Sequence, residues 1–431
     1  MSLKPETREE ALESGSYLIN TDAFETRQHP EIVTEKMAAP IKTKSGESGS
    51  VTLPGSTIGI LGGGQLGRMM ALAGRNMGYR FVTLDPIEDA PCSQVADRQI
   101  TASYEDRKAA RELAHSADLI TYEFENVNAE VTALLERESH VPQGSRLLYL
   151  IQHRIREKQA IEAAGVKVAP YRRVTTYPEL LEAIEALGLP AVLKTVTGGY
   201  DGKGQRMIRN LEESKPAFTE LSRIHHEFVL EAFVPFSKEL SIIAARNQRR
   251  EIKVFPVAEN THVNHILHTS VVPARIPGDA LKKAEQIAMK LAGALELVGL
   301  LAVELFYTGD GELYVNELAP RPHNSGHYTM EACRTSQFEQ HIRAICNLPL
   351  GSSDLISPVV MVNILGEHLQ PLIQWISQAD RLPADPDMEI KLHLYGKHEA
   401  KQKRKMGHLN LIGASPEVCF SWMKKTGIWG Q

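Results

Sequence analysis

Cysteine is scarce in this sequence, with four among 431 residues, at positions 92, 333, 346 and 419. No two of them form a C-x-x-C pair, and their separations do not match those of zinc-binding modules. The sequence therefore argues against a disulfide-stapled fold and against a structural zinc site. It favours the reducing environment of the cytoplasm.

Long hydrophobic runs and a large excess of one charge are also missing. No segment has the roughly 18 consecutive apolar residues that a membrane helix needs. The N-terminus lacks the basic start and apolar stretch of a secretory signal. A formal net charge of −5 gives no global reason to expect binding to nucleic acid. We predict a cytoplasmic protein with neither a membrane nor a nucleic acid as a partner.

The remaining composition is that of a globular protein, with 42 % hydrophobic and 23 % charged residues. A chain of this length is expected to form several packed units. Residues 1–50 are rich in Glu, Lys, Thr, Ser and Gly, which predicts a flexible N-terminal extension. A short docking helix near the start, or a natural beginning at Met37, is the alternative.

Strand and helix patterns alternate from Ser56 onward, which predicts a parallel sheet in the first unit. Its strands are TIGIL, RFVTLD and DLITYE, and its helices span about 65–76 and 106–115. The middle third is predicted to be α+β and largely antiparallel, with a long amphipathic helix over about 279–297. The last 80 residues predict a small β-rich unit with three short strands, one helix and a basic cluster.

A first glycine-rich loop lies between a predicted strand and a predicted helix. Residues 62–67 match G-x-G-x-x-G, and Asp85 ends the next strand. Small residues at a helix N-terminus let backbone amides approach an anion. The loop favours a phosphorylated ligand. A dinucleotide with Asp85 at its ribose, and simple packing of a tight turn, are the alternatives.

Two glutamates are predicted to face each other across a hairpin. Asp310 and Gly311 form a strong turn signal, and a two-residue loop there places Glu304 opposite Glu317. Facing like charges cost stability unless something lies between them. Carboxylate oxygens, with Asn316 beside them, suit Mg2+, so we predict that Glu304 and Glu317 bind this ion. The alternative is an edge strand with two solvated acids.

A second glycine-rich loop follows a strand that ends in Lys194. Residues 198–204 contain four glycines, but the spacing is not that of a phosphate-binding Walker A loop. Such a loop can cover a triphosphate while the lysine supplies positive charge beneath it. A closed loop would also exclude water from a reactive intermediate. A mobile hairpin tip is the alternative.

Several motifs together resemble those of the N5-carboxyaminoimidazole ribonucleotide synthases, a family of ATP-grasp enzymes. The motifs are GILGGGQLGRM, GGYDGKGQ, EAFV followed by KELS, and NELAPRPHNSGH. The resemblance implies an α/β and α+β chain with an ATP-grasp fold. It implies a Rossmann-like pre-ATP-grasp domain at 51–152, a small subdomain with a glycine-rich flap at 153–235, a large subdomain with the metal-binding hairpin at 236–350, and a small β-rich C-terminal domain at 351–431.

The resemblance also implies a reaction, its cofactors and its site residues. ATP, with Mg2+, would drive the carboxylation of 5-aminoimidazole ribonucleotide by bicarbonate in purine synthesis, in a homodimer. The implied ATP-binding residues are Arg154, Lys194, Gly199, Tyr200, Asp201, Gly202, Lys203, Gly204, Gln205, Glu231, Ala232, Phe233, Val234, Glu239, His262, Asn316 and Glu317. The implied substrate-binding residues are Gly64, Gln65, Tyr200, Asp201, Arg275, His323, Asn324, Lys397, Arg404 and Lys405. Asp201, Lys194 and Arg275 would be catalytic, with Asp201 orienting the amine or accepting its proton.

Three other functions stay open at this point. Another ATP-grasp ligase, such as a formate-dependent glycinamide ribonucleotide transformylase, would share most of these motifs. A nicotinamide-dependent dehydrogenase would use the first glycine loop but leave the paired glutamates unexplained. A non-catalytic regulator would bind ATP without turnover.

Overall fold

The computed structural model of the protein describes residues 50–199, 203–378 and 387–430. Tyr200, Asp201 and Gly202, which the sequence places in the nucleotide and substrate sites, lie outside the described residues, as does the predicted extension up to residue 49. Within the described residues, none of the helices combines the length and the apolar character that a membrane crossing requires.

The first unit is a parallel sheet with strand order β3-β2-β1-β4, as the strand and helix alternation predicts. Strands TIGIL and RFVTLD occupy the predicted positions, because each carries a run of buried residues that helices cover on both faces. The elements are β1 (Thr57–Leu61), α1 (Gln65–Asn76), β2 (Arg80–Asp85), β3 (Arg98–Thr101), α2 (Arg107–Ser116), β4 (Leu119–Tyr122), α3 (Ala129–Glu138) and α4 (Arg146–Ile151).

The second unit is a small antiparallel sheet with order β5-β8-β6-β7. Helix α6 begins with a capping box, in which the Thr176 side chain accepts from the Glu179 backbone and the Glu179 side chain accepts from the Thr176 backbone. The elements are α5 (Arg154–Ala163), β5 (Tyr171–Val174), α6 (Tyr177–Leu187), β6 (Ala191–Thr195), β7 (Gln205–Ile208), a 3-10 turn (Leu211–Glu213), α7 (Ser214–Leu221) and β8 (Phe228–Ala232).

The third unit is built on an antiparallel sheet whose path begins β14-β13-β9-β11-β12, with β10 paired to β9. The middle of the chain is therefore largely antiparallel, as predicted. Its elements are β9 (Phe236–Arg246), β10 (Ile252–Val254), β11 (Ala258–Val263), β12 (Ile266–Val272), α8 (Gly278–Ala294), β13 (Gly299–Thr308), β14 (Leu313–Ala319), a 3-10 turn (Asn324–Gly326), α9 (Thr329–Ala332) and α10 (Gln337–Ile345).

Helix α8 ends about three residues before the predicted position. Glu296 takes a left-handed backbone with φ of 51°, and the Leu297 N–H donates to the Ala292 carbonyl at 3.1 Å. This pattern terminates a helix by satisfying its last carbonyls. The apolar sequence continues past that point because Leu297 turns back into the core beside Leu301 and Val303.

The C-terminal strands extend the large sheet rather than forming a sheet of their own. Strand β15 pairs with β12, and the order continues β15-β17-β16. The prediction of a single helix here is wrong, because two helices cover these strands. Each of the two helices has only eleven residues, and the first contains Pro371 in its interior, so neither gives a strong helical pattern in the sequence. The elements are β15 (Val359–Leu365), α11 (Gly366–Ile376), β16 (Glu389–Leu394), β17 (Lys405–Ile412) and α12 (Pro416–Thr426).

Helix α10 joins the first unit to the large sheet. Phe338, Ile342 and Ile345 pack with Met70 and Phe81 in one buried cluster. Burial of side chains this large stabilises the contact by about 2 kcal/mol each. The first unit and the sheet that carries the paired glutamates are thereby held together through a common core.

Candidate active site

The hairpin of β13 and β14 brings Glu304 directly opposite Glu317, as predicted, but its loop length and its strand register differ from the prediction. The predicted two-residue loop is wrong, since Thr308 bonds to Glu312 across a three-residue loop and Tyr307 pairs with Leu313. A register shift between Glu304 and Leu305 then restores the predicted pairing.

That register shift is a β-bulge in β14. Leu305 faces Val315 and Glu304 faces Glu317, so Asn316 is the extra residue. A bulge turns two successive side chains toward one side of a strand. Asn316 and Glu317 are both partly exposed between the buried Val315 and Leu318, and the Asn316 amide lies 3.5 Å from the Glu304 carboxylate. Three oxygen-bearing side chains therefore gather on one face.

The two facing carboxylates have opposite pKa shifts. Burial acts to raise the pKa of Glu304, but the hydrogen bond and charge of His323, at 3.2 Å, outweigh it and lower the pKa to about 2. The pKa of Glu317 is raised, first by burial and then by the charge of Glu304, and Arg154 opposes this at 3.4 Å. The fold thus holds Glu304 ionised while it disfavours a second negative charge at Glu317.

The donor set fits a hard cation. The Asn316 Oδ1 atom is buried and has no hydrogen-bond partner among the described residues. An orphaned buried acceptor of this kind needs an explanation, and beside two carboxylates a cation supplies one. No cluster of three or more His, Cys, Asp or Glu side chains within the described ranges has the arrangement of a complete metal site. Two carboxylates therefore suit an ion that takes its other ligands from water and phosphate.

Lys194 lies at the end of β6 and is nine-tenths buried, with a side-chain exposure of 10 %. Its ammonium donates to the Glu231 carboxylate at 3.0 Å, and Lys158 approaches the other carboxylate oxygen at 3.2 Å. Burial lowers the pKa of Lys194, while Glu231 opposes that shift. The pKa of Glu231 falls to about 2, because Lys194 and then Lys158 outweigh its burial. These two lysines and one carboxylate form a group with an excess of positive charge, called here the Lys194 floor, at the end of the strand that leads into the second glycine loop.

The described part of the second glycine loop requires its glycines. Gly199 and Gly204 have φ of 86° and 72°. A Cβ at Gly199 would lie 2.7 Å from the Lys203 carbonyl oxygen, and one at Gly204 would lie 2.7 Å from the Thr195 hydroxyl. Strands β6 and β7 pair up to Lys194 and Gln205, so the lysine lies where the paired strands lead into the loop.

A cleft of about 210 Å3 opens beside the hairpin. Four of the predicted site residues line it, namely Glu239, His262, Glu304 and Asn316, and it also contains Leu240, Asn260, Leu305 and Phe306. His262 and Glu239 form an ion pair. Burial acts to lower the pKa of His262, but the pair with Glu239 raises it. These contacts make one wall of the cleft polar.

Phe306 is a site residue that the sequence analysis missed. Its ring stacks on Phe236, with centroids 4.6 Å apart and planes 9° from parallel, at the wall of the cleft. Strand alternation could have found it, because Phe306 is two residues from Glu304 and shares its face. The apolar wall suits a flat aromatic base, and Phe233 lies within 6.3 Å of Phe236 on the same side.

The predicted substrate-binding residues that the structure describes lie in several places. His323 contacts Glu304, and Asn324 exchanges hydrogen bonds with Asn363 at 3.0 and 2.7 Å, so this pair lies beside the hairpin. Arg275 makes a two-pronged contact with Glu259, at 2.6 and 3.1 Å, and its side chain is 45 % exposed.

The basic cluster lies on the loop before β17 and at its start. The Lys405 charge reaches His262, which brings the end of this cluster to the cleft. The Arg404 guanidinium donates to the Glu399 carbonyl at 2.8 Å, and Lys397 lies 5.9 Å from the Tyr395 ring. The cluster therefore includes contacts that order the loop as well as a cation near the site.

The first glycine loop binds protein carboxylates. The Gly64 and Gly67 amides donate to Glu123 at 2.5 and 2.7 Å, and the Gly63 amide donates to Asp85 at 2.7 Å. The Glu123 side chain, which is buried, occupies the favourable end of the α1 dipole. These amides are the donors that a dinucleotide pyrophosphate would need. Any phosphorylated ligand would need the same amides, so these contacts argue against the predicted phosphate site as well as against the dinucleotide alternative. The substrate-binding role of Gly64 and Gln65 stays a prediction.

Three family models match successive parts of the chain. They describe a ribonucleotide synthetase preATP-grasp domain at residues 56–152, an ATP-grasp domain at 159–338 and a phosphoribosylaminoimidazole carboxylase C-terminal domain at 359–420. An N5-carboxyaminoimidazole ribonucleotide synthase of Bacillus subtilis is 50 % identical over 387 residues, covering 88 % of this chain and 99 % of the relative. The chain belongs to the N5-carboxyaminoimidazole ribonucleotide synthase family.

Other members of the N5-carboxyaminoimidazole ribonucleotide synthase family agree with this chain in sequence and in structure. A Staphylococcus aureus synthase is 43 % identical, with coverage of 83 % of this chain and 93 % of the relative. A crystal structure of a synthetase as its ADP complex is 54 % identical, with a TM-score of 0.84 and coverage of 88 % and 98 %. An Aspergillus clavatus synthase, solved with ADP and 5-aminoimidazole ribonucleotide, is 28 % identical with a TM-score of 0.77 and the same coverage.

Membership in this family confirms the predicted ATP-grasp fold and the predicted ligase class. It removes the dehydrogenase alternative, which depended on the first glycine loop. The individual roles of the predicted site residues, and the boundaries of the predicted domains, stay predictions.

Proposed function

We propose that this chain catalyses the ATP-dependent carboxylation of 5-aminoimidazole ribonucleotide by bicarbonate, giving N5-carboxyaminoimidazole ribonucleotide, ADP and phosphate in purine biosynthesis. The observation that carries the proposal is the facing pair Glu304 and Glu317 at a cleft, beside the Lys194 floor, in a chain of this family. We place the reaction in the cytoplasm, since the four cysteines are buried free thiols.

Glu304 and Glu317 would hold Mg2+, with the Asn316 carbonyl oxygen beside them. The ion supplies charge neutralisation for the phosphate oxygens of ATP when it is bound. Oxygen donors alone favour Mg2+ over the softer metals that prefer nitrogen and sulfur.

ATP would lie in the cleft with its base against Phe306 and its phosphates over Lys194. Glu231 has its carboxylate engaged by two lysines, so contact with the adenine edge falls to the backbone of residues 232–234. Glu239 would bind the ribose, and its pair with His262 orients it. Arg154 reaches the hairpin from α5 and would contact the transferred phosphoryl group.

The reaction requires two transfers. A bicarbonate oxygen attacks the γ-phosphorus and the bond to ADP breaks, which leaves carboxyphosphate. The amine of 5-aminoimidazole ribonucleotide then attacks the carboxyl carbon, phosphate leaves, and the amine loses a proton. Positioned cations such as Lys194 and Arg154 stabilise the charge that spreads over the transferred group.

The second glycine loop would protect carboxyphosphate from water. Its base is fixed by glycines that no larger residue can replace without displacing Lys203 or Thr195. The proton of the amine would pass to Asp201, and Arg275 would orient bicarbonate or its phosphorylated product. His323, Asn324 and the basic cluster up to Lys405 would bind the ribonucleotide.

One assay tests the proposal: release of ADP must depend on both 5-aminoimidazole ribonucleotide and bicarbonate. Glu304→Gln should lose this release, because it removes the carboxylate that the fold keeps ionised. Glu312→Gln is the matched control, since Glu312 lies in the same hairpin but pairs with Lys167 and Lys283. ADP release supported instead by formate and glycinamide ribonucleotide would overturn the assignment of the substrate.

A further inference from the structure

The outer edge of β14 is bound by the segment that contains α5. The Val315 N–H donates to the Lys167 carbonyl at 2.9 Å, and the Leu318 N–H donates to the Glu157 carboxylate at 2.6 Å. These two contacts lie on either side of the bulge formed by residues 316 and 317. Hydrogen bonds on both sides of the bulge therefore hold it along the edge of β14 that faces away from β13.

Glu157 is buried, with 3 % of its surface exposed, and it lies one helical turn after Arg154. Residues three apart on a helix share a face. That face contacts Glu317 and the residue after it. Arg154 approaches the Glu317 carboxylate at 3.4 Å, and Glu157 accepts a hydrogen bond from the Leu318 backbone amide.

A buried carboxylate is costly unless its oxygens are bound. A hydrophobic residue of similar size would pack α5 against the sheet without that cost, but it would leave the Leu318 amide without an acceptor. An unsatisfied buried amide costs about 1–3 kcal/mol. The carboxyl oxygen of Glu157 thus supplies the acceptor that β14, as the terminal strand of its sheet, lacks on this side.

We propose that Glu157 is a positioning residue, which fixes the direction of Glu317 by holding the Leu318 amide and with it the bulge. This inference rests on the proposed metal site at Glu304 and Glu317. Groups that orient a metal ligand from behind typically change metal affinity by about 10-fold to 100-fold when they are removed. Glu157 acts through the backbone, since the contact that carries this role is with the Leu318 amide.

The length of the side chain is what the proposal depends on. Burial raises the pKa of Glu157 to about 8, so at neutral pH the side chain acts chiefly as an uncharged carboxyl acceptor. Glu157→Asp withdraws that acceptor by one methylene, whereas Glu157→Gln keeps both the reach and an uncharged oxygen acceptor. Electron paramagnetic resonance measures the binding of Mn2+, used in place of Mg2+, in the presence of ADP. We expect Glu157→Asp to bind Mn2+ about 10-fold more weakly than the parent protein. We expect the glutamine variant to stay within about 3-fold of the parent protein.

Matched controls come from the same helix. Glu162 lies on α5 and accepts a hydrogen bond from the Tyr171 hydroxyl at 2.9 Å, away from β14. Glu162→Asp and Glu162→Gln should both leave Mn2+ binding unchanged. An unaltered Mn2+ affinity in Glu157→Asp, or a loss in Glu157→Gln as large as in Glu157→Asp, would overturn the positioning role.

A parallel measurement on Glu317→Gln separates this inference from the proposed function. If Glu317→Gln also binds Mn2+ normally, the metal site itself is wrong. If only Glu317→Gln loses Mn2+, the metal site stands and the positioning role fails. If Glu157→Asp does not fold, Glu157→Gln provides the test. Normal Mn2+ affinity of Glu157→Gln, together with slow hydrogen exchange of the Leu318 amide in that variant, supports the positioning role. Mn2+ binding about 10-fold weaker than in the parent protein refutes it.

Discussion

Replacing Glu317 with glutamine should stabilise the protein without metal and remove its stabilisation by metal. The raised pKa of Glu317 means that the folded state disfavours its ionised form, so at neutral pH the charge costs stability. Glutamine keeps the shape of the side chain and removes that cost. The same change removes one of the two carboxylates that would bind Mg2+.

The size of the effect follows from the register. Residues directly opposite in an antiparallel pair have Cβ atoms about 5 Å apart. Two unit charges at that distance repel by about 3 kcal/mol at an effective dielectric constant of about 20. The Glu317 side chain is 44 % exposed and pairs with Arg154, so screening reduces the expected gain to about 1 kcal/mol. A chain of this size gains about 2 °C or less in Tm from that amount.

Thermal unfolding with and without Mg2+ and ADP measures both effects. At a ligand concentration of about 100 times Kd, binding should stabilise the parent protein by about 2.7 kcal/mol, and Glu317→Gln should lose most of this. Glu312→Gln serves as the control, because it changes a glutamate of the same hairpin outside the cleft. A variant that unfolds earlier than the parent without metal, or that keeps the full metal-dependent rise, would refute the reasoning.

Further substitutions test other parts of the site. Phe306→Ala should weaken ADP binding by about 10-fold in calorimetry, since it removes the stacked wall of the cleft. Lys194→Met should reduce the loss of stability on acidification below about pH 4.5 in urea unfolding, because the pKa of Glu231 is then depressed only by Lys158 and Arg154. Gly204→Ala should raise the KM for ATP in steady-state rates, since its Cβ would displace the Thr195 hydroxyl. Burial lowers the pKa of His341 to about 3, so the neutral side chain contributes stability that is present above pH 6.5 and is lost as pH falls. Between pH 7 and pH 5, the free energy of unfolding of His341→Gln, measured in urea, should therefore fall by about 2 kcal/mol less than that of the parent protein.

Local patterns predicted the elements that position the site. Strand alternation and the strand–loop–helix order located β1, β2, β13 and β14, because each carries a continuous or alternating apolar pattern. The facing glutamates were found although the loop length was wrong, since the extra loop residue and the bulge at Asn316 shift the register in opposite senses. Nothing local in the sequence marks that bulge, because the contacts that hold it come from Glu157 and Lys167.

Long-range partners explain what the sequence analysis missed. Lys158 was not expected at the site, because its contact with Glu231 depends on how α5 lies against β8. Phe306 could have been found from the two-residue period of its strand. The sequence predicted one helix in the C-terminal region without its bounds, whereas the described residues contain two, each of eleven residues and one with Pro371 inside it. Helices this short give a weak local signal.

The two glycine-rich loops show why a motif alone does not identify a ligand. Residues 62–67 have the spacing of a dinucleotide loop, yet Glu123, 56 positions after Gly67 in the chain, supplies the negative charge that their amides bind. An anion that took these donors would leave the buried Glu123 carboxylate without hydrogen bonds, and that unsatisfied charge would oppose binding of the anion. The second loop instead follows the strand that carries Lys194, where Lys194 and Lys158 share the Glu231 carboxylate. A group of two lysines and one carboxylate attracts phosphate, whereas the amides of the first loop already bind a carboxylate. We therefore expect the nucleotide at the second loop rather than at the first.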